Sequence, residues 1–502
     1  MYTSYVKEHP FDRYKPFTDI VALQEYSEKP LRKSVRVNTL QMSIEDFRVR
    51  GRGREWKLEQ APWCKEGFFV DRPSPVGLRT ARRPALGKDL LHLTGHIYMQ
   101  EAASMLPAEL LDPQPFDEAQ GKPGEIILDM SAAPGSKTTQ MAARMQNRGV
   151  IVANDIQEKR LWTLKTALHR SGVTNVVVTK KPGQWFGKHM VERFDRVLCD
   201  APCTAQGTSR KDPEALKYSS QENIEKMSRI QVQLLEAAVH AAKVGGRIVY
   251  STCTLTPEEN EEVVMKVLEQ LKGKVDVIDP REHYEDVNVQ QAVEDSFCVQ
   301  RCLSPTTPAC RQAGYNLLPV IRLWPQTFDT EGFFCAVLKK IAVTREKEQY
   351  QAIPLQEVLL PASKQREIMA KFEALYDTSF MAEGEVLVRK DSQILLAAQE
   401  AVHTLFPVQD FALGLPYAKL LKDGRVRLAH EMAIFRGMQA KKLTYAVTEE
   451  EAQHLLQGRD ISCANGLRGD LLLLYDGMCI GRGLAKEGTI KNNLPRTMIV
   501  NQ

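Results

Sequence analysis

The chain has 502 residues, 43% hydrophobic and 26% charged, with 67 basic against 63 acidic side chains for a net charge of +4. That length exceeds one compact core and predicts several domains, while so small a net charge does not by itself mark a nucleic-acid binder. No apolar run is long enough to span a bilayer and MYTSYVKEHPFDRY lacks the basic-then-apolar order of a secretory signal, so the expected place is the cytoplasm, with no membrane partner.

Residues 1–115 mix polar helical segments with short strand-like pieces at 34–39 and 67–70, and are read as an N-terminal α+β region. Eight basic residues fall between positions 31 and 57 (Arg32, Lys33, Arg36, Arg48, Arg50, Arg52, Arg54, Lys57), and Arg79, Arg82, Arg83 and Lys88 follow. Such clustering suits a solvated charged face and a phosphate-binding surface equally well, so the chemistry downstream has to decide. Residues 112–124 (DPQPFDEAQGKPG) are turn-rich and read as a loop.

From residue 126 the pattern changes. Strand-like runs at 126–129, 150–155, 176–179, 196–199 and 247–250 alternate with helix-like runs at 137–144 and 159–170. Alternation of this kind predicts a mostly parallel, Rossmann-like α/β sheet with helices on both faces and ligands at the carboxyl ends of the strands. The piece 332–340 (GFFCAVLKK) is read as an antiparallel edge strand closing a domain over 116–342, and residues 304–314 (SPTTPACRQAG) as a surface insertion. Residues 343–440 become charged and helical, then β-like with turns at Gly384, Gly414 and Gly424, and are read as a connecting α+β domain. In 441–502, the runs 471–475 and 479–485 around Asp476-Gly477 predict a hairpin.

The stretch LDMSAAPGSKT (128–138) ends a strand, turns through small residues and opens a helix. Small residues let a ligand approach the backbone, and a helix N-terminus offers free N–H groups; the spacing is neither GxGxxG nor a Walker loop. Asp155 ends the next strand, where a carboxylate can accept from two ribose hydroxyls or simply cap the following helix.

Ten cysteines lack a paired framework or CxxC spacing, which argues against a disulfide scaffold or zinc site and leaves reduced thiols for chemistry. The strands at 196–199 and 247–250 lead into DAPCTAQGTSRKDP and YSTCTLTPEEN, so Cys203 and Cys253 are expected at one sheet edge with Asp200 beside them. Cys199 and Cys335 are read as small buried hydrophobes. His430-Glu431 has Ile434 where a second metal ligand would stand, and no metal is expected.

The ordered series DMSAAPGSKTTQ, ANDIQEKR, DAPCTAQG with RKDP, YSTCTLTPEEN and RLWPQTFDTEGFFCAVLKK resembles the RNA cytosine-5 methyltransferases of the Nop/Sun (RsmB/Nop) family. GSKTTQ, RKDPEALK and the C-terminal GRDI and GLAKEGTIKNNLPR are most similar to its bacterial RsmF branch, which modifies small-subunit ribosomal RNA. The resemblance implies a class I methyltransferase sheet and S-adenosyl-L-methionine as donor. Ala132, Ala133, Pro134 and Gly135 would lie at its methionine end, Asp155 at the ribose and Arg160 beside that pocket. It further implies Cys253 as nucleophile and Cys203 as release residue, with Asp200 and Lys137 facing the target base and Asp200 bordering the cofactor as well. Residues 441–502 would be a PUA-like RNA-binding end carrying Lys486, Lys491 and Arg496; a chain with its own RNA-binding appendages has no evident need to self-associate, and a monomer is expected. One departure stands out: Lys180-Lys181-Pro182-Gly183 replaces a common family aspartate that binds adenine, leaving adenine held more loosely or by backbone groups. A tRNA substrate, or an RNA-binding ribosome-assembly role with catalysis secondary, are the alternatives.

The residue types suit that chemistry. Carbon 5 of cytosine is a poor nucleophile, but a thiolate added to carbon 6 makes an enamine whose carbon 5 can attack a methyl sulfonium. A cysteine close to a cation can supply the thiolate, and a carboxyl group can read the cytosine amine.

Overall fold

The computed structural model describes residues 10–72, 85–115, 124–280, 318–347, 349–404 and 406–500. Arg79, Arg82, Arg83 and the 304–314 insertion lie outside the described residues, as does 116–123 of the loop.

Near the N-terminus, β1 (Ser34–Val37), β2 (Lys57–Gln60), β3 (Gly67–Asp71) and β4 (Ile97–Met99) form an antiparallel sheet in the order β2-β3-β1-β4. Its helix Ile44–Gly53 starts where the Ser43 side chain accepts from the Asp46 N–H.

The central strands are β5 (Ile126–Asp129), β6 (Val150–Asn154), β7 (Val176–Thr179), β8 (Phe194–Asp200), β9 (Ala242–Thr252), β10 (Val275–Ile278), β11 (Ile321–Leu323) and β12 (Phe333–Lys340). Strands β5 to β9 pair in parallel in the order β9-β8-β5-β6-β7. Alternate residues serve opposite cores. Leu128, Val150 and Val152 pack with Phe186, Leu234 and Val264 on one face, whereas Ile127, Ile151 and Ala153 pack with Met141, Leu161 and Leu164 on the other. Burial on both faces is why these strands read as continuous apolar runs.

The piece expected to close the sheet, β12, is antiparallel to β9 as anticipated but lies second from the edge. β10 pairs with one half of its outer side and β11 with the other. With seven of its eight residues buried, an open edge would leave apolar surface and unpaired backbone in water.

Further on come β13 (Val358–Leu359), β14 (Glu385–Lys390), β15 (Gln393–Ala398), β16 (Asp410–Leu413), β17 (Leu415–Leu420) and β18 (Val426–Leu428). Five of these make an antiparallel sheet in the order β13-β14-β15-β17-β18, while β16 pairs antiparallel with β7 and extends the central sheet. The connecting segment therefore shares a sheet with the central domain.

The C-terminal strands β19 (Thr444–Ala446), β20 (Ile461–Ser462), β21 (Gly469–Tyr475), β22 (Met478–Lys486) and β23 (Thr489–Asn492) form a β-rich unit in which β21 and β22 are the anticipated hairpin. Val35, Phe47 and Phe68 of the N-terminal sheet share one core with Leu471, Leu473 and Ile480 of this unit. The two ends of the chain thus pack as one body.

Candidate active site

Strand β5 delivers Asp129 to the carboxyl edge, and residues 130–135 turn into the helix Ser136–Arg144. The turn is pinned from both sides: the Met130 N–H donates to Leu198 O at 3.0 Å and the Ala132 N–H to Asn154 O at 2.7 Å. Gly135 has φ +109°, and a Cβ there would lie 3.0 Å from Leu164 Cδ1 and 3.1 Å from Ala167 Cβ, so the turn presses on the helix Glu158–Arg170. Buried Asp129 accepts from the Thr138 hydroxyl at 2.7 Å; burial, reinforced by the charge of Asp200, pushes its carboxyl up to about 7.

Asp155 follows β6 and is 2% exposed. Its Oδ1 accepts from the Gln157 N–H at 2.9 Å, setting the entry to the next helix, while Oδ2 has no hydrogen bond and lies 3.1 Å from Arg160 Nη1, close enough for an ion pair but not aligned as a hydrogen bond. Arg160 Nη2 donates to Ala133 O. The turn-forming role and a free acceptor therefore coexist in one carboxylate, and Ala133, Asp155 and Arg160 form one wall.

Asn154, which sequence reasoning passed over, ties three loops together. Its Nδ2 donates to Met130 O (3.1 Å) and Lys181 O (2.8 Å), and its Oδ1 accepts from the Lys181 N–H (2.9 Å) and the Thr179 hydroxyl (3.1 Å). Both backbone groups of Lys181 are consequently engaged.

The two thiols meet. Parallel pairing sets Asp200 opposite Ser251, the Ala201 N–H donates to Ser251 O at 2.9 Å, and the loops beyond bring Cys203 Sγ to 3.2 Å from Cys253 Sγ. Cys199 and Cys335 are buried, and burial pushes both thiols up.

Cys203 is held well above the ordinary thiol range, first by its hydrogen bond with Cys253, then by burial and the negative charges of Cys253 and Glu259. Lys137 Nζ donates to Asp200 Oδ2 at 2.7 Å, and the Ser251 hydroxyl donates to Asp200 Oδ1 at 2.7 Å. Burial disfavours the Lys137 ammonium, but Asp200 outweighs it, with Asp129 and Cys253 adding, and the amine ends above its usual value. A cation is thereby kept within electrostatic reach of the Cys253 sulfur.

A framework of ordinary polar residues fixes the thiols. The buried Glu259 carboxylate accepts from the Thr204 N–H (3.0 Å), Gln231 Nε2 (2.9 Å), the Thr256 hydroxyl (3.0 Å) and the Thr204 hydroxyl. Gly207 joins the loops through its N–H to Cys253 O (3.0 Å) and its carbonyl, which accepts from the Gly332 N–H (2.8 Å). Only the density of Ser, Thr and Glu in STCTLTPEEN hinted at this support.

The N-terminal basic cluster divides. Arg36 is 1% exposed and is no phosphate surface: Nη1 donates to Gln100 Oε1 (2.8 Å) and Ser136 O (2.7 Å), and Nη2 to the Thr139 hydroxyl (2.9 Å), locking β1 to the helix of the small-residue turn. Arg50 pairs with Asp476 and Arg54 with Asp89. Lys33 and Lys57 are exposed; at the other end, Lys486, Lys491 and Arg496 are exposed as well.

A parallel sheet covered on both faces, with this turn and acid at its carboxyl edge, belongs to the Rossmann-like methyltransferases. Comparison with known proteins narrows the class. Residues 119–339 match the family model described as 16S rRNA methyltransferase RsmB/F, residues 16–102 the N-terminal domain of 16S rRNA methyltransferase RsmF, and residues 442–499 the methyltransferase RsmF PUA domain. Proteins named ribosomal RNA small subunit methyltransferase F from Aeromonas hydrophila and Aeromonas salmonicida are 35% and 34% identical, each over 94% of this chain and over 92% and 91% of their own lengths. Among solved structures, a methyltransferase homologue from Pyrococcus horikoshii is 32% identical with a TM-score of 0.50, covering 66% of this chain and 93% of its own. NSun6 from Pyrococcus horikoshii, solved with SFG, shares the fold at 23% identity and a TM-score of 0.51, covering 67% of this chain and 98% of its own. The chain belongs to the RsmB/F family of methyltransferases, on its RsmF branch, and it ends in a PUA domain.

Proposed function

We propose that the protein transfers a methyl group to carbon 5 of a cytosine in small-subunit ribosomal RNA, by a two-cysteine covalent route. The observation that carries this reading is the 3.2 Å contact between Cys203 and Cys253 beside the Lys137–Asp200 ion pair. One thiol at a strand end is usually packing; two in contact, with a cation held in place by a carboxylate, suit nucleophilic catalysis.

S-adenosyl-L-methionine fits the residues present. Asp155 Oδ2 is a buried acceptor without a hydrogen bond, suited to a ribose hydroxyl, and Ala132, Ala133, Pro134 and Gly135 form a turn with little side-chain bulk, suited to the methionine end. When bound, the cofactor supplies an electrophilic methyl group. With both backbone groups of Lys181 engaged and Pro182 in place of an acid, the segment after β7 contributes no carboxylate to adenine.

Lys137 favours the Cys253 thiolate, whose sulfur forms a bond to carbon 6 of the ring and makes carbon 5 nucleophilic. Asp200, at the same edge, accepts from the cytosine amine, which uracil lacks. After methylation the proton on carbon 5 leaves, to Cys203 directly or through water, and its electrons restore the ring double bond as the carbon–sulfur bond breaks. The hydrogen bond with Cys253 that chiefly holds the Cys203 thiol up is lost once the Cys253 sulfur is bonded to carbon 6, so Cys203 can give its own proton to water and then take the one from carbon 5.

Residues 1–115 and the PUA domain at 441–502 supply RNA affinity around the catalytic domain at 116–342, with 343–440 connecting them. The target base must leave its stack, so a single-stranded or loop site is favoured. Cytoplasmic residence and a monomeric state complete the reading.

The test uses methyl-labelled S-adenosylmethionine with ribosomal RNA, both deproteinised and in subunits, and bisulfite mapping of the product. Label should appear in cytosine; Cys253→Ala should abolish transfer while RNA still binds, and Cys203→Ala should accumulate a protein–RNA adduct that survives denaturation. Normal turnover by Cys203→Ala, with adduct trapped by Cys253→Ala, would reverse the two roles.

A further inference from the structure

The helix Glu158–Arg170 buries Leu161, Leu164 and Leu168 in the core yet leaves Trp162 55% exposed. Beside it lies a cavity of about 370 Å³, within the ~300–1,000 Å³ range of small-molecule sites, between this helix and the connecting segment. Its wall includes Trp162, Lys165, Lys390 and Phe411, the last meeting the indole edge-on with ring centres 5.1 Å apart. We propose that this cleft holds a single-stranded stretch of the substrate RNA, a base on Trp162 and phosphates on Lys165 and Lys390. The proposal rests on the RNA-methylating reading above and adds a contact surface outside the N-terminal and PUA regions.

Charge supports the assignment. Lys165 Nζ lies 5.3 Å from the Trp162 ring centre, and the Lys165 amine is disfavoured by burial and then by the positive charge of Lys390, so two cations face each other. Glu357 lies 3.3 Å from Lys390 Nζ, but burial and neighbouring Asp410 push its carboxyl up to about 7, which leaves it a partial counter-charge at neutral pH. Glu431 acts on Lys165 from the helix His430–Arg436, packed against the helix Glu158–Arg170, and Asp391 also borders the cavity. His169 is kept neutral, pushed down to about 3 by burial and by Lys165. A flat aromatic face next to paired ammonium groups is the combination that holds single strands without reading their sequence. Lys165 is five residues beyond Arg160, about 7.5 Å along the helix axis, so the cleft flanks the cofactor side of the catalytic edge.

The full-length protein is titrated into a fluorescein-labelled, unstructured 12-nucleotide RNA at several salt concentrations, and anisotropy is read. Trp162→Ala should weaken binding tenfold or more, with Trp162→Phe restoring most of it. Lys165→Glu with Lys390→Glu should weaken binding and lower the slope of log K against log salt by about 1.4, near 0.7 for each lost phosphate contact on a single strand. A misfolded variant would lose S-adenosylmethionine affinity as well; retained cofactor affinity isolates the RNA effect. Wild-type affinity and salt slope in the double variant would overturn the proposal. So would adenosine monophosphate quenching Trp162 fluorescence while RNA affinity ignores all four substitutions, since the cleft would then take free nucleotides. If RNA binding falls as expected but the wild-type protein transfers no methyl group to RNA, the catalytic reading fails and this interface stands.

Discussion

Gly207→Ala tests whether the two thiol loops act as one unit. A Cβ at this position would lie 2.3 Å from Gly332 O and 2.6 Å from Cys253 O, both backbone atoms. Reaching an ordinary contact of 3.4 Å requires retreats of 1.1 Å (3.4 − 2.3) and 0.8 Å (3.4 − 2.6). Cys253 O also accepts from the Gly207 N–H, and the Gly332 N–H donates to Gly207 O, so neither residue can retreat from Gly207 without stretching the hydrogen bond it makes there. Cys253 must therefore move by nearly an ångström relative to Cys203 and Asp200. Misplacing a reacting group by that much costs roughly 100-fold in rate, or about 2.7 kcal/mol. Single-turnover methyl transfer to saturating RNA should fall by that factor, whereas S-adenosylmethionine affinity, measured by calorimetry, should change less than twofold because the turn at residues 130–135 is pinned at Leu198 O and Asn154 O, inside the strands and not in the two thiol loops. A Gly207→Ala protein that turns over within twofold of wild type would show that the loop contacts are incidental to catalysis.

Three further substitutions read other parts of the site. Glu259→Gln replaces a carboxylate that accepts five hydrogen bonds with an amide that must point N–H groups at donors, an internal conflict of about 1–3 kcal/mol. It should slow resolution of the RNA adduct more than its formation, seen on denaturing gels, and equal slowing of both would remove Glu259 from the release step. Asp155→Asn should weaken S-adenosylmethionine binding and leave RNA binding intact; unchanged calorimetric affinity would assign the carboxylate to its helix-entry role alone. Glu357 has its folded value raised from 4.5 to about 7, so its share of stability is full below about pH 4.5 and is lost as pH rises through 7. The shift corresponds to about 3 kcal/mol, and Glu357→Gln should flatten the melting temperature over that window; an unaltered pH profile would refute the proton-sharing contact with Asp410.

What the sequence disclosed and what it hid follow from the range of the interactions involved. Strands β5 to β8 were legible because each is buried on both faces and so spells its own apolar run, as in Ile126–Asp129 and Val176–Thr179. Strand β9 is longer than its apolar run because pairing of Phe194 with Ala242 carries the ladder back past Gly245 and Gly246, where no side chain signals it. Strand β16 was invisible in that role, since it joins the central sheet through Asp410 opposite Thr179, a partner 231 residues away (410 − 179). Arg36 misled for the same reason: its charge counted toward a basic cluster, while Ser136 O and Thr139, a hundred residues on, take it out of solvent. The thiols could be singled out because cysteine is scarce and its loops are distinctive, but Glu259, Thr204 and Ser251 look like any polar loop until the fold closes around them. A buried carboxylate is tolerable only when donors converge on it, and here they come from the Cys203 loop, the helix Gln221–Ala241 and the Cys253 loop together. The support for the site is thus a property of the assembled fold, while the reacting atoms are a property of local sequence.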